Sequence, residues 1–288
     1  MKFLVLGCNG MAGHLISLYL KEQGHDVTGF ARKDIGLIKT IVGDARDKEK
    51  LTEVIKSGKY DSVINCIGIL NQFAERDHAT AVYMNAYLPH FLAAITEGTE
   101  TQVIHMSTDC VFSGSRGGYT EYDVKDGTTF YDQSKALGEL DDDKNITLRN
   151  SIVGPDINPD GIGLLNWFMK STVESGSQVS GYTKTMWTGQ TTLQLAKTME
   201  AAAKEKAHGL YNMVPDKSIS KADLLKLFNK YLRKDTVDIM LVDGVIADKS
   251  LKRTNYDFGY IIPDYEVMVK ELSDWTVKHK DLYPHYEL

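Results

Sequence analysis

A tyrosine and a lysine stand four residues apart in Thr129-Phe130-Tyr131-Asp132-Gln133-Ser134-Lys135-Ala136-Leu137-Gly138-Glu139, a stretch that reads as the start of a helix. Side chains at i and i+4 share a helix face, so the Tyr131 phenol and the Lys135 ammonium can meet. A free phenol titrates at about 10, and a nearby cation lowers that value. A tyrosine tuned in this way can pass a proton close to neutral pH. The same two residues could decorate a surface helix by chance, so the weight falls on what lies upstream. There the apolar run Thr101-Gln102-Val103-Ile104-His105-Met106 reads as a strand that delivers Ser107-Thr108-Asp109. A hydroxyl at such a strand end can donate to a carbonyl oxygen as negative charge develops on it. Ser, Thr and Asp also favour strand ends as plain turn formers.

These groups need a scaffold, and the amino terminus supplies one. Residues 2–6 form a compact apolar run suited to a buried parallel strand, followed at once by Gly7-Cys8-Asn9-Gly10-Met11-Ala12-Gly13. Met11, Leu15, Leu18 and Tyr19 then recur at helical spacing, Gly24 ends the helix, and His25–Phe30 reads as a second strand. A strand, a glycine-rich turn and a helix make a dinucleotide cradle. Gly7 permits the tight turn, Gly10 lets backbone approach a pyrophosphate, and Gly13 lets helix and strand pack closely. The helix start offers free N–H groups and the positive end of its dipole to phosphate. The spacing is G-x-x-G-x-x-G, and its position between strand and helix makes it a specific signal.

The second strand runs into Ala31-Arg32-Lys33, with Asp34 only afterwards. An acidic residue there would hold a ribose 2′-OH and a basic one suits a 2′-phosphate, so the sequence favours NADP(H) over NAD(H), which stays open. Thr40–Asp47 reads as a short strand leading into a helix through about Lys56; Asp44, followed by Ala45, could accept from an adenine amine, and Asp47 suits a helix cap. Tyr60–Asn65 is a further strand ending at Cys66-Ile67-Gly68, where ligands sit in sheets of this type. A long helix is expected from Asp77 to about Glu97, kinked at Pro89. Asn85 lies inside it, either structural or hydrogen-bonding near the cofactor.

Beyond the strand Ile146–Arg149 the β/α alternation weakens, and Pro155, Pro159, Gly161 and Gly163 mark a loop. Helices are expected at Leu164–Met169, Gln190–Ala203, after the N-cap Ser220, and from Asp264 to His279, with a strand at Gly209–Val214. Lys249, Lys252 and Arg253 form a small basic group that reads as a solvated face or as a diphosphate contact.

Composition narrows the classes. With 288 residues, 42% hydrophobic and 25% charged, the chain can bury a substantial core. A net charge of −6 argues against a nucleic-acid partner. Cys8, Cys66 and Cys110 are scattered and odd in number, which fits neither a disulfide framework nor a metal site. The apolar run before Gly7 is too short for a signal segment, and no stretch approaches the roughly 20 apolar residues of a membrane span. The expectation is a cytoplasmic protein without lipid or membrane attachment.

Gly7-x-x-Gly10-x-x-Gly13, Ser107-Thr108-Asp109-Cys110-Val111-Phe112 and Tyr131-x-x-x-Lys135 together resemble the extended short-chain dehydrogenase/reductases. The S-T-D-x-V-F segment, with Gly114 and Tyr119-Thr120-Glu121 after it, most resembles dTDP-4-dehydrorhamnose reductase and related nucleotide-sugar reductases. The resemblance implies an α/β fold: a Rossmann doubly wound parallel sheet over residues 1–150, rejoined by a segment near 187–215. The rest of 151–288 would form a smaller α/β substrate-binding lobe. It implies NAD(P)H-dependent reduction of a 4-keto group on a deoxy sugar joined to a nucleoside diphosphate, in polysaccharide precursor synthesis. Thr108 would polarise the carbonyl, Tyr131 would protonate its oxygen, and Lys135 would lower the Tyr131 pKa and hold the nicotinamide ribose. Gly7, Asn9, Gly10, Met11, Gly13, Arg32, Lys33, Asp44, Ala45, Cys66, Ile67, Gly68 and Asn85 would line the cofactor. Thr108, Asp109, Cys110, Asn150, Trp187 and Arg253 would line the substrate, and a homodimer is left open.

The chain departs from the family where Asp132 replaces the usual Gly after the tyrosine, and where Asn65-Cys66-Ile67-Gly68 replaces small alanines. Related 4,6-dehydratases need an Asp–Glu pair after the threonine, and here Asp109 is followed by Cys110. Two alternatives stand beside the reductase: an epimerase on the same scaffold, and a cofactor-binding regulatory subunit without chemistry. A regulatory subunit would need none of Thr108, Tyr131 and Lys135.

Overall fold

The computed structural model describes residues 1–288. In chain order the amino-terminal elements are β1 (Lys2–Leu6), α1 (Met11–Glu22), β2 (Asp26–Ala31), β3 (Thr40–Val42), α2 (Lys48–Gly58) and β4 (Ser62–Asn65). Short helices α3 (Asn71–Arg76) and α4 (His78–Ala81) lead through a π-helical turn, Val82–Tyr87, into α5 (Leu88–Thr96). Then come β5 (Gln102–Ser107), α6 (Phe130–Leu137), β6 (Ile146–Arg149), β7 (Ser151–Val153), α7 (Leu164–Ser171), β8 (Gln178–Tyr182), β9 (Thr185–Trp187) and β10 (Gly189–Thr191). The chain continues with α8 (Thr192–Glu205), β11 (Gly209–Asn212), β12 (Ile219–Ser220), α9 (Lys221–Leu232), β13 (Asp238–Val242), β14 (Ala247–Asp248) and α10 (Tyr265–Lys278).

Seven strands form one sheet in the order β11-β6-β5-β4-β1-β2-β3, every pair parallel. This is the doubly wound α/β arrangement, with its switch point between β1 and β4. Alternate residues of β1 serve opposite layers. Phe3 and Val5 join Leu15, Ile16 and Leu20 of α1 and Met199 of α8, whereas Leu4 and Leu6 join Leu51 and Ile55 of α2 and Leu88 and Leu92 of α5. Each such side chain is worth about 1.5–3 kcal/mol when fully buried, which is why an unbroken apolar run is needed in a strand covered on both faces.

The remaining segments build smaller sheets, β7 with β10, β12-β9-β14, and β8 with β13, around α9 and α10. The helix expected from Gln190 begins at Thr192, because Gly189–Thr191 pairs with Ser151–Val153 as a strand and the Thr191 side chain caps the helix. No helix is long and apolar enough to cross a membrane.

The expected Pro89 kink is instead a π-turn. Pro89 has no N–H to give the Asn85 carbonyl four residues back, and the Leu88 N–H reaches Tyr83, five back. The bared Asn85 carbonyl faces Gly138, where any Cβ would overlap it, so the end of α6 packs backbone to backbone on this turn. π-turns inside helices frequently mark functional sites, and this one turns the Asn85 side chain toward Ile69 and Ser134.

Candidate active site

Gly7 takes φ +76°, which a side chain would strain, and a Cβ on Gly13 would overlap the Gly7 carbonyl. Between them Gly10 N-caps α1 without a side-chain bond, and the first turn of α1 carries no acidic residue. The N–H groups there are left for an anion. Asn9 ties the turn to the end of β2 by donating to the Lys33 carbonyl at 2.7 Å, and Met11 lies against Gly163 of the long loop. Arg32 and Lys33 are exposed just beyond β2. Asp44 accepts from the Arg46 backbone at 2.9 Å and from its guanidinium at 2.6 Å, which holds its carboxyl down at about 2. Any adenine amine must therefore share Asp44 with Arg46, a basic residue that sequence reading passed over. Ala45 is buried beside this pair.

Across the switch point, β4 ends in Cys66-Ile67-Gly68. Burial pushes the Cys66 thiol up to about 12, so it stays protonated. Asn85 accepts from the Ile69 N–H at 2.8 Å and donates to the Ile69 carbonyl at 2.9 Å and the Ser134 hydroxyl at 3.0 Å. It pins the loop after β4 to the helix that carries Tyr131.

That helix, α6, starts on a capping box: Thr129 accepts from the Asp132 N–H and the Asp132 carboxylate from the Thr129 N–H. Such caps are worth about 1 kcal/mol. Asp132, the departure from the family pattern, thus fixes the first turn and with it Tyr131. Thr108 follows β5 and accepts from the Cys110 N–H at 3.1 Å. The Tyr131 phenol is buried and faces Thr108; burial raises its pKa, the nearby Cys110 adds to this, and the Thr108 hydroxyl opposes it.

The expected meeting of phenol and ammonium does not occur. Lys135 Nζ donates to the Met106 carbonyl at 2.6 Å and lies 3.5 Å from His105 Nε2. Burial pulls the ammonium down to about 8, with Glu139 and Cys66 opposing. The shared helix face brings the two stems together, but the lysine stem is long enough to reach back to β5, where a carbonyl accepts from it. The lowered phenol expected of Tyr131 is accordingly replaced by a raised one.

Asp109 and Cys110 follow Thr108 and share the neighbour Lys221 with Trp187, while Asn150 stands between β6 and β7. Burial raises the Asp109 carboxyl while Lys221, at the start of α9, holds it back; burial likewise lowers the Lys221 ammonium. Lys221 Nζ also sits 5.6 Å from the Trp187 ring centroid, and Lys249 Nζ is 3.9 Å from Asp132. The buried Trp187 N–H and Asn150 Oδ1 have no partner within the protein. Lys221 left no signal in the sequence: it follows an ordinary cap, and only the folding of α9 brings it to Asp109 and Trp187. Arg253 does not join this cluster. Its guanidinium is buried and gives three of its five N–H groups to the carbonyls of Asn255, Phe258 and Tyr260, so it clamps a loop.

A buried charge cluster braces the site from behind. Arg149 is fully buried and grips Glu139 through two bonds of 2.8 and 2.7 Å, while Glu139 also accepts from Ser107 and Lys125. Burial would raise the Glu139 carboxyl, but Arg149 holds it below the usual range. Arg149 donates on to Asn212 of β11. Tyr119 pairs with Leu251 as an isolated bridge, and Glu121 accepts from Asn212 and Thr254. This is what Tyr119-Thr120-Glu121 does: it staples the loop after Thr108 to the carboxyl-terminal segment.

Known proteins resemble this chain in sequence and in fold. The model of the RmlD substrate binding domain family matches residues 1–252. A probable low-salt glycan biosynthesis reductase, Agl14, of Haloferax volcanii is 27% identical over 254 residues, 85% of this chain and 84% of that protein. A dTDP-4-dehydrorhamnose reductase of Burkholderia thailandensis is 33% identical over 142 residues, 49% of this chain and 45% of its own length. The crystal structure of a dTDP-4-dehydrorhamnose reductase of Bacillus anthracis, in complex with NADP, superposes with a TM-score of 0.80 at 19% identity, covering 96% of this chain and all of that one.

Proposed function

Since the chain belongs to the RmlD substrate-binding family, we propose that it is an NAD(P)H-dependent reductase of the 4-keto group of a 6-deoxy nucleotide sugar, serving polysaccharide precursor synthesis. The observation that carries this reading is the convergence of Thr108 and the buried Tyr131 just beyond the carboxyl end of β5, on the side of the sheet where the glycine turn follows β1. The relatives' names support it: they include a glycan biosynthesis reductase and dTDP-4-dehydrorhamnose reductases.

The residues fit a dinucleotide. The uncapped start of α1 takes the pyrophosphate, and Gly7, Gly10 and Gly13 leave room for it. Arg32 and Lys33 suit a 2′-phosphate, in keeping with the NADP held by the Bacillus anthracis structure. When bound, the reduced nicotinamide supplies a hydride. Thr108 donates to the carbonyl oxygen as it gains negative charge. Tyr131 gives that oxygen its proton, and a phenol whose pKa is raised by burial is held in the protonated form that a donor needs. Lys135, one turn on, is the cation for the nicotinamide ribose. Lys221 and Trp187, with Asp109 and Asn150, line the side on which the nucleotide sugar enters.

The test is to offer NADPH and NADH with a panel of 4-keto-6-deoxy nucleotide sugars, following nicotinamide absorbance and identifying the product by NMR. One cofactor consumed per new alcohol supports the reductase. Conversion without net cofactor loss would identify an epimerase, and tight NADPH binding with no turnover a regulatory subunit.

A further inference from the structure

Asn65 and His105 are fully buried side by side on β4 and β5, and the reaction described above uses neither. The Ile67 N–H donates to Asn65 Oδ1 at 3.1 Å, which fixes the orientation of the amide. Its Nδ2 is therefore the atom that faces His105 Nδ1 at 3.2 Å. An amide nitrogen has only protons to give, so Nδ1 is the accepting nitrogen, and the proton of the neutral ring sits on Nε2. Burial keeps the ring neutral, and the charge of Lys135 reinforces this. Nε2 faces Lys135 Nζ at 3.5 Å. An ammonium has three donors and no acceptor, so an Nε2–H opposes a charged Lys135 and can donate to the lone pair of an uncharged one.

We propose that His105, locked by Asn65 as the Nε2–H tautomer, is a positioning residue that favours the uncharged Lys135 amine and couples its protonation to the backbone of Ile67. Charging Lys135 forces the ring to move its proton to Nδ1, where it meets the Asn65 amide nitrogen. Asn65 must then turn its amide over and release the Ile67 N–H, so the chain of bonds loses one member either way. The other groups facing Lys135 are Glu139 on its own helix and Cys66 after β4, both favouring the charge; His90 on α5 is the further titratable group felt by His105. Because Ile67 lies in the loop that would line the cofactor, cofactor uptake and the protonation of Lys135 become linked. That consequence rests on the reductase reading, whereas the tautomer lock does not.

The test uses cofactor-free full-length protein. With lysine labelled by carbon-13 at Cε, one resonance absent from Lys135→Arg is expected to titrate near pH 8. In His105→Gln, whose side-chain carbonyl can accept from an ammonium, that midpoint should rise by about one pH unit or more. A midpoint that stays or falls overturns the proposal. Should the variant fail to fold, imidazole nitrogen-15 spectra of the parent protein recorded well above pH 8, where Lys135 is uncharged, decide: a protonated Nε2 on His105 upholds the lock, and a protonated Nδ1 there overturns it. Either result can be read whether or not the protein reduces any sugar.

Discussion

Lys135 Nζ donates to the carbonyl of Met106 at 2.6 Å, which ties α6 to β5 through a buried amine. Its charge has no carboxylate partner at bonding distance, and the nearest, Glu139, is occupied by Arg149. On the proposed reading, stability is given up here for function. Replacing Lys135 with Met keeps the stem and removes the buried charge, so Lys135→Met should unfold later than the parent by about 1–3 kcal/mol at pH 7, while turnover is lost.

The pH dependence of that difference has a definite sign. Lys135 titrates at about 8 when folded against its ordinary 10.5. Between those values the unfolded chain binds more protons, so the parent gains stability as pH rises through the window. The advantage of Lys135→Met, measured by urea unfolding, should hold in full below pH 8 and shrink toward pH 10.5.

Glu139 is the only carboxylate bonded to the fully buried Arg149. Glu139→Ala should cost about 3–5 kcal/mol in chemical denaturation, because it strands that cation. The double variant Glu139→Leu, Arg149→Met should recover much of the loss.

Gly13→Ala places a methyl group onto the Gly7 carbonyl. The glycine turn must move, at a cost of about 1–3 kcal/mol. Calorimetric titration should show NADPH affinity falling about five- to a hundredfold, at about 1.4 kcal/mol per decade.

Arg32→Ala should weaken NADPH more than NADH. A charge-assisted bond to a 2′-phosphate is worth about 1.5–3 kcal/mol, so the NADPH dissociation constant should rise roughly ten- to a hundredfold while NADH changes little. Equal losses would remove Arg32 from the choice of cofactor.

The sheet was legible because its strands are unbroken apolar runs separated by glycine turns and helices of regular period; β1 and its turn announce themselves within thirteen residues. The motif residues Thr108, Tyr131 and Lys135 were legible as types and spacings. What spacing does not encode is where a long side chain points: helical register brings Lys135 near Tyr131, but the bond it makes depends on the Met106 carbonyl of another element. For the same reason Arg253 looked free beside Lys249 and Lys252, when its partners are carbonyls two to seven residues on. The short strands of the carboxyl-terminal half, such as β9 and β14, are two or three residues long and carry no period that a sequence can show. Lys221 and His105 gain their roles only from tertiary neighbours.

The central claim is that the Tyr131 hydroxyl delivers the proton to the reduced carbonyl. Tyr131→Phe removes that one oxygen from a buried ring, and the measurement is turnover of NADPH with a 4-keto-6-deoxy nucleotide sugar alongside NADPH binding by the same preparation. Turnover should fall by about 10²- to 10⁴-fold with the dissociation constant nearly unchanged. A variant that reduces the sugar at the parent rate would contradict the account.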